Sequence, residues 1–107
     1  MIRNKTKKKI ISQAENNAKS IFLQSLGLMF HKKRNLIMYF NKEKNIALHN
    51  FFVFYPIDVL ILNKDKKIVE IKRNFQPFTF YTPKKQGKYL IELAFPSQYN
   101  LNDQLEF

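Results

Sequence analysis

Four polar side chains sit where the chain is otherwise most apolar: His49, Asn50, Asp58 and Glu92. The stretch HNFFVFYPIDVLIL, residues 49–62, holds ten aliphatic or aromatic residues in fourteen, and KYLIELA, residues 88–94, encloses Glu92 in a similar setting. An ionised carboxylate in apolar surroundings is strongly disfavoured unless it is paired or hydrogen-bonded, so Asp58 requires a partner. Two arrangements supply one. In the first, Asp58 accepts backbone N–H groups from a neighbouring loop, and its role is structural. In the second, His49 meets it across the bend at Pro56, and the pair is oriented for proton transfer or for gripping a polar ligand.

Two functional classes follow from the second arrangement. The leading one is a binding module, with His49, Asn50, Asp58 and Glu92 lining a small polar cleft for a polar or cationic small molecule or for a protein partner. The alternative is a hydrolase with His49 as general base, Asp58 as its orienting carboxylate and Glu92 as acid. No nucleophile motif, metal-ligand set or phosphate loop accompanies these residues, which weighs against the enzyme. Glu92 also has a plainer reading, as an exposed edge residue facing one of many lysines.

The elements that must hold these side chains read as strands. Asn35 to Phe40, Ala47 to Tyr55, Ile57 to Leu62, Lys67 to Lys72, Thr79 to Tyr81, Lys88 to Ala94 and Gln104 to Phe107 are short aromatic and β-branched runs separated by turn residues. Ile57 to Leu62 is apolar on both faces apart from Asp58 and is expected to be a central strand. Pro56 lacks an N–H and fits a strand start, which puts Asp58 near the mouth of that strand. Residues 63–66 and 84–87 carry turn chemistry. Period-two alternation places Tyr89, Ile91 and Leu93 on one face and Leu90, Glu92 and Ala94 on the other. The expected fold is mainly β, a small antiparallel β-sandwich or partly open barrel.

One short helix is expected near residues 20–27, capped by Ser20 and stopped at Gly27. A competing reading makes Ser12 and Glu15 a capping box for an earlier helix, but Asn16 and Asn17 suit a helix interior poorly. Residues 1–9 read as a basic, flexible tail, unless Ile10 and Ile11 tie it down as an edge strand. Residues 10–107 then form one domain, since 107 residues sustain a single core.

Composition narrows the function further. Cysteine is absent, and His31 and His49 are the only histidines, so no metal or other cofactor is expected. The basic N-terminus lacks the apolar segment of an export signal, and no run approaches the length of a membrane helix, so a cytoplasmic protein without a membrane partner is expected. The net charge of +11 invites a nucleic-acid reading through Arg3 to Lys9 and the Lys84 to Lys88 turn. Lysine outnumbers arginine 16 to 3, however, and Asn, Ile, Phe and Tyr are also abundant, as AT-rich coding produces by default. The aromatic stretch Phe75 to Tyr81 resembles a stacking platform, although aromatics in small β domains mostly fill the core. Ligand identity and oligomeric state are not written in one sequence.

Three stretches together resemble a known prokaryotic family, the domain of unknown function 192. SIFLQSLGLMFH, residues 20–31, is similar to its serine-led helix ending in Gly-Leu-Met-Phe, and LHNFFVFYPIDVLIL, residues 48–62, to its Ile-His-Thr-x-x-Met-x-x-Pro-Ile-Asp-Val strand. YLIELAFPSQYNLNDQLE, residues 89–106, is similar to its Glu-Leu-Pro strand and terminal Gly-Asp turn. Gly27, Leu28, Met29, Phe30, His49, Pro56, Asp58, Glu92 and Asp103 stand where that pattern has them. Gln24 and His31 replace usual arginines, Asn50 and Val53 replace Thr and Met, and Asn102 replaces the glycine before Asp103. The resemblance implies a compact, mostly β domain with no established activity.

Overall fold

A five-stranded sheet with apolar residues on both faces organises the molecule. The computed structural model describes residues 1–18, 35–46, 48–49, 55–95 and 97–107. Its strands are β1 (Ile2–Asn4), β2 (Lys9–Ser12), β3 (Glu15–Ala18), β4 (Asn35–Lys44), β5 (Leu48–His49), β6 (Ile57–Leu62), β7 (Ile68–Phe75), β8 (Phe80–Tyr81), β9 (Gly87–Leu93) and β10 (Leu105–Glu106). The main sheet runs β3-β4-β9-β6-β7, a second runs β10-β1-β2, and β5 pairs with β8 in a two-stranded ribbon. Among the described residues the strand pairings are antiparallel except that of β3 with β4, which is parallel. The main sheet has open edges at β3 and β7, so the fold is sandwich-like and not a closed barrel.

β6 is the expected central strand. All six of its residues are buried, and it lies between β9 and β7. Strict alternation sends Ile57, Val59 and Ile61 to one face and Asp58, Leu60 and Leu62 to the other. The first face joins Leu36, Met38, Ile46, Phe75 and Leu90, with Tyr81 of the ribbon packed against it. The second joins Ile37, Ile91, Leu93 and Tyr99, covered by Ile2, Ile11 and Leu105 from the smaller sheet. Each fully buried aliphatic side chain contributes about 1.5–3 kcal/mol, so a strand apolar on both sides anchors both layers.

Two bulges shape β7. Its register against β6 shifts between Ile57 and Val59 and again between Ile61 and Leu62. At the first shift Asn74 adopts a φ of 55°, in the left-handed region. The β6–β7 turn is the expected one: the Lys66 N–H donates to the Asn63 carbonyl at 3.0 Å, and the Asn63 side chain accepts from the N–H groups of Asp65 and Lys67. Lys66 sits there at φ 62°, and its ammonium reaches the Phe107 carbonyl at 2.7 Å.

In the N-terminal segment the edge-strand alternative at Ile10 and Ile11 holds, and the flexible tail does not. Residues 1–9 are not a tail: β1 is flanked by β10 and β2, and Ile2 is wholly buried. Alternation explains this, because Ile2 and Asn4 face inward while Arg3 stays outside. Ser12 and Glu15 form no capping box, since both belong to strands; Ser12 Oγ donates to the Ala14 carbonyl and accepts from the Asn35 amide. The expected strand over 47–55 is described at Leu48–His49, with Tyr55 at a bend. The helix expected near 20–27, with Gly27, Leu28, Met29 and Phe30, and the site candidate Asn50 lie outside the described residues.

Candidate functional site

Asp58 is 6% exposed and finds its partners on β7 and the C-terminal segment. Its Oδ1 accepts the Asn74 N–H at 2.9 Å, the N–H released by the left-handed turn of the bulge. Its Oδ2 accepts the Tyr99 hydroxyl and lies 3.6 Å from the Arg73 guanidinium. Arg73 closes the group by donating to the Tyr99 carbonyl at 2.7 Å and lying over the Tyr99 ring. Burial raises the Tyr99 pKa, and the hydrogen bond to Asp58 raises it further. The carboxylate is thus satisfied by one backbone N–H, from strand β7 and not from a loop as expected, together with a phenol and a half-exposed guanidinium. Tyr99 and Arg73 were not foreseen, because nothing in their spacing from Asp58 marks them and only the pairing of β6 with β7 brings Arg73 beside it.

Glu92 stands in a different setting. It pairs with Leu36 of β4 and Val59 of β6, so its side chain shares the face of Leu36, Val59 and Leu90. It is 7% exposed and not an edge residue. Among the described residues nothing forms a hydrogen bond or ion pair with its carboxyl group. Burial alone pushes its pKa up to about 7.

Asp58 and Glu92 therefore point to opposite faces of the same sheet. Asp58 pairs with Leu93, on the side of Leu60, Leu93 and Tyr99, whereas Glu92 lies on the side of Val59. The cleft that would have joined His49, Asp58 and Glu92 does not form, because adjacent positions on paired strands alternate in direction. The hydrolase set loses its geometry for the same reason. His49 belongs to β5, whose partner β8 carries Tyr81 onto Glu92's side of the sheet.

Asp103 and Pro56 are the other motif residues within the described part of the chain. Asp103 Oδ2 accepts from the Asn4 amide and the Asn100 N–H, each at 2.8 Å, and lies 3.3 Å from the Lys7 ammonium. Burial would push its pKa up, but these donors outweigh it and hold the carboxyl below its usual value. Asn102 has a φ of 70°, the conformation that favours glycine there. Pro56 is exposed just before β6, where its missing N–H removes no ladder bond. The aromatic stretch divides: Phe75 is core, whereas Phe78 and Phe80 are exposed. The Glu70 carboxylate accepts the Tyr81 hydroxyl and, at 2.9 Å, the N–H groups of Lys84 and Lys85, and so shapes the lysine turn. Among the described residues no three His, Asp or Glu side chains gather where a metal ion could sit, and no helix is long and apolar enough to cross a membrane.

Comparisons with known proteins agree on kinship and stop short of an activity. The family model DUF192, described as Uncharacterized ACR, matches residues 2–98. A UPF0127 protein of Thermococcus sibiricus is 34% identical over 96 residues, covering 86% of this chain and 62% of its own length. A UPF0127 protein of Pyrococcus furiosus is 34% identical over 92 residues, covering 83% of this chain and 78% of the relative. The chain thus spans about three fifths of the first relative and more of the second. In structure it is similar to a protein of unknown function from Novosphingobium aromaticivorans, with a TM-score of 0.76 at 17% identity, covering 87% of this chain and 74% of that one.

Proposed function

The chain belongs to the uncharacterised DUF192 family, and from that premise we propose that it is a binding module in which Glu92 recognises a polar ligand on the face shared by Leu36, Val59 and Leu90. One observation carries this reading: a carboxyl group is retained in an apolar environment with no hydrogen bond or ion pair among the described residues. Such a group lowers stability whenever it ionises, so a purely structural position would favour an apolar side chain of similar size. Asp58, by contrast, has all the partners a structural carboxylate needs.

The chemistry of the ligand follows from that of the carboxyl. With a pKa of about 7, Glu92 presents a proton donor below neutrality and an acceptor above it. A hydroxyl or amide satisfies either form, and an ammonium or guanidinium group supplies the missing counter-charge to the ionised one. In the β5–β8 register His49 stands opposite the exposed Phe80, and it is Leu48 that stands opposite Tyr81 on Glu92's side, so the reading rests on Glu92 alone. Asp58 is a support for the opposite face in this reading.

Thermal-shift measurement against a panel of amines, amino acids and sugars, run on wild type and Glu92→Gln, tests the proposal. A ligand that raises the melting temperature of wild type and loses most of that effect in Glu92→Gln supports it. Equal responses of both proteins to every compound would overturn it.

A further inference from the structure

We propose that the lysine-bearing end of the five-stranded sheet is a contact surface for the sugar-phosphate backbone of a nucleic acid. Antiparallel pairing brings the end of β4, the start of β9 and the β6–β7 turn together at that end. Lys44 pairs with Gly87, Leu62 pairs with Tyr89, and the Lys64 N–H donates to the Glu43 carboxylate at 2.9 Å. Lys42, Lys44, Lys64, Lys67, Lys84 and Lys85 are all exposed there. Segments 41–45, 63–67 and 84–88 contain eight lysines against two carboxylates, Glu43 and Asp65. AT-rich coding explains an abundance of lysine but not its collection on three adjacent turns.

Two carboxylates at this end, Glu43 and the neighbouring Glu70 of β7, are engaged with backbone. Glu43 accepts the Lys64 N–H, and Glu70 accepts those of Lys84 and Lys85. They fix the turns without forming an ion pair to any of these lysines among the described residues. Lys66 and Lys88 donate to the backbone carbonyls of Phe107 and of Phe40 and Asn41, whereas the six exposed lysines, Lys44 over the Phe40 ring among them, remain in water, where release of condensed counterions drives association with a polyanion.

Two further features select the partner. Among the described residues, none of the exposed large hydrophobic side chains, Met1, Ile10, Phe78, Phe80, Phe95 and Leu101, lies in these three segments, which favours a polyanion over a bilayer as partner. The segments also contain no arginine, which favours point-charge contacts to phosphate over bidentate reading of bases. The surface therefore grips the backbone without regard to sequence.

Fluorescence anisotropy with labelled duplex DNA and single-stranded RNA, over a series of salt concentrations, is the test. About four phosphate contacts give a log–log salt slope of about −3.6 on duplex, or roughly a tenfold loss per doubling of salt. The triple variant Lys42→Glu, Lys64→Glu, Lys85→Glu should weaken low-salt binding at least about tenfold and flatten that slope. The variant Lys5→Glu, Lys8→Glu, Lys9→Glu carries the same change in net charge on the β1–β2 hairpin and should lose far less. Melting curves establish that both variants are folded. No association at low salt, equal losses in the two variants, strong dependence on base sequence, or tighter binding to phosphatidylserine vesicles than to nucleic acid would each overturn the proposal.

Discussion

Glu92 and Asp58 respond oppositely to being made neutral. Glu92 has a folded pKa near 7 against an ordinary 4.5, so between those values the folded state holds more protons than the unfolded one and stability falls as pH rises. The full difference corresponds to about 3 kcal/mol. Glu92→Gln should therefore leave stability nearly unchanged at pH 4.5 and raise it by up to about 3 kcal/mol above pH 8, as measured by urea denaturation at the two pH values. A variant no more stable than wild type above pH 8 would show that Glu92 ionises at no cost. Asp58→Ala, in contrast, removes the acceptor for the Asn74 N–H and the Tyr99 hydroxyl and leaves Arg73 without its counter-ion. It should cost about 2–4 kcal/mol, and Asp58→Asn less, because the amide oxygen still accepts the Asn74 N–H.

Among the strands, legibility followed hydrophobic pattern. β6 was readable to its boundaries because six consecutive buried residues after a proline have few other homes, and the alternation in KYLIELA assigned Glu92 its correct face. β1 and β3 were not read from the sequence, and β2 only as a possible edge strand at Ile10 and Ile11, because among the described side chains of these strands Ile2 and Ile11 alone are buried apolar anchors. Their pairing rests on backbone bonds and on Asn35, which donates to Ser12 and accepts the Ala94 N–H, ties that no periodicity reveals. The candidate site was half legible. Both carboxylates stood out by their apolar neighbours, but which faces they occupy depends on how β9 and β6 pair, and adjacent register positions reverse the answer. Gly87 is a further case where pairing decides. A Cβ there would lie 2.5 Å from Ile61 Cγ2, a branch close to the backbone that cannot swing aside. Gly87→Ala should destabilise by about 1–3 kcal/mol, read from the denaturation midpoint at unchanged slope.

At the scale of the whole molecule, a polar staple fastens distant parts of the chain to each other. Asn4 donates to Asp103 Oδ2 at 2.8 Å and to the Gln98 carbonyl at 3.2 Å, so the hairpin that covers the second apolar face is fastened to the C-terminal segment. Because Asp103 titrates below its ordinary 3.8, its contribution is present above that value and is lost as pH falls through the lowered pKa. Asn4→Ala should cost about 1–3 kcal/mol at neutral pH and move acid unfolding to higher pH, as circular dichroism during acid titration will show. Asn102→Gly, which relieves the left-handed position beside the staple, should add up to about 1 kcal/mol.

The union of β1 with β10 also sets an order of events during synthesis. Ile2 and Ile11 emerge from the ribosome long before Leu105, and Asn4 is separated from Asp103 by 99 positions. The nascent chain must therefore carry β1 and β2 without their final neighbour until translation of this region is nearly finished, leaving the second apolar face without its lid. Closure of that lid therefore waits on β10, however early the hairpin it completes has been made.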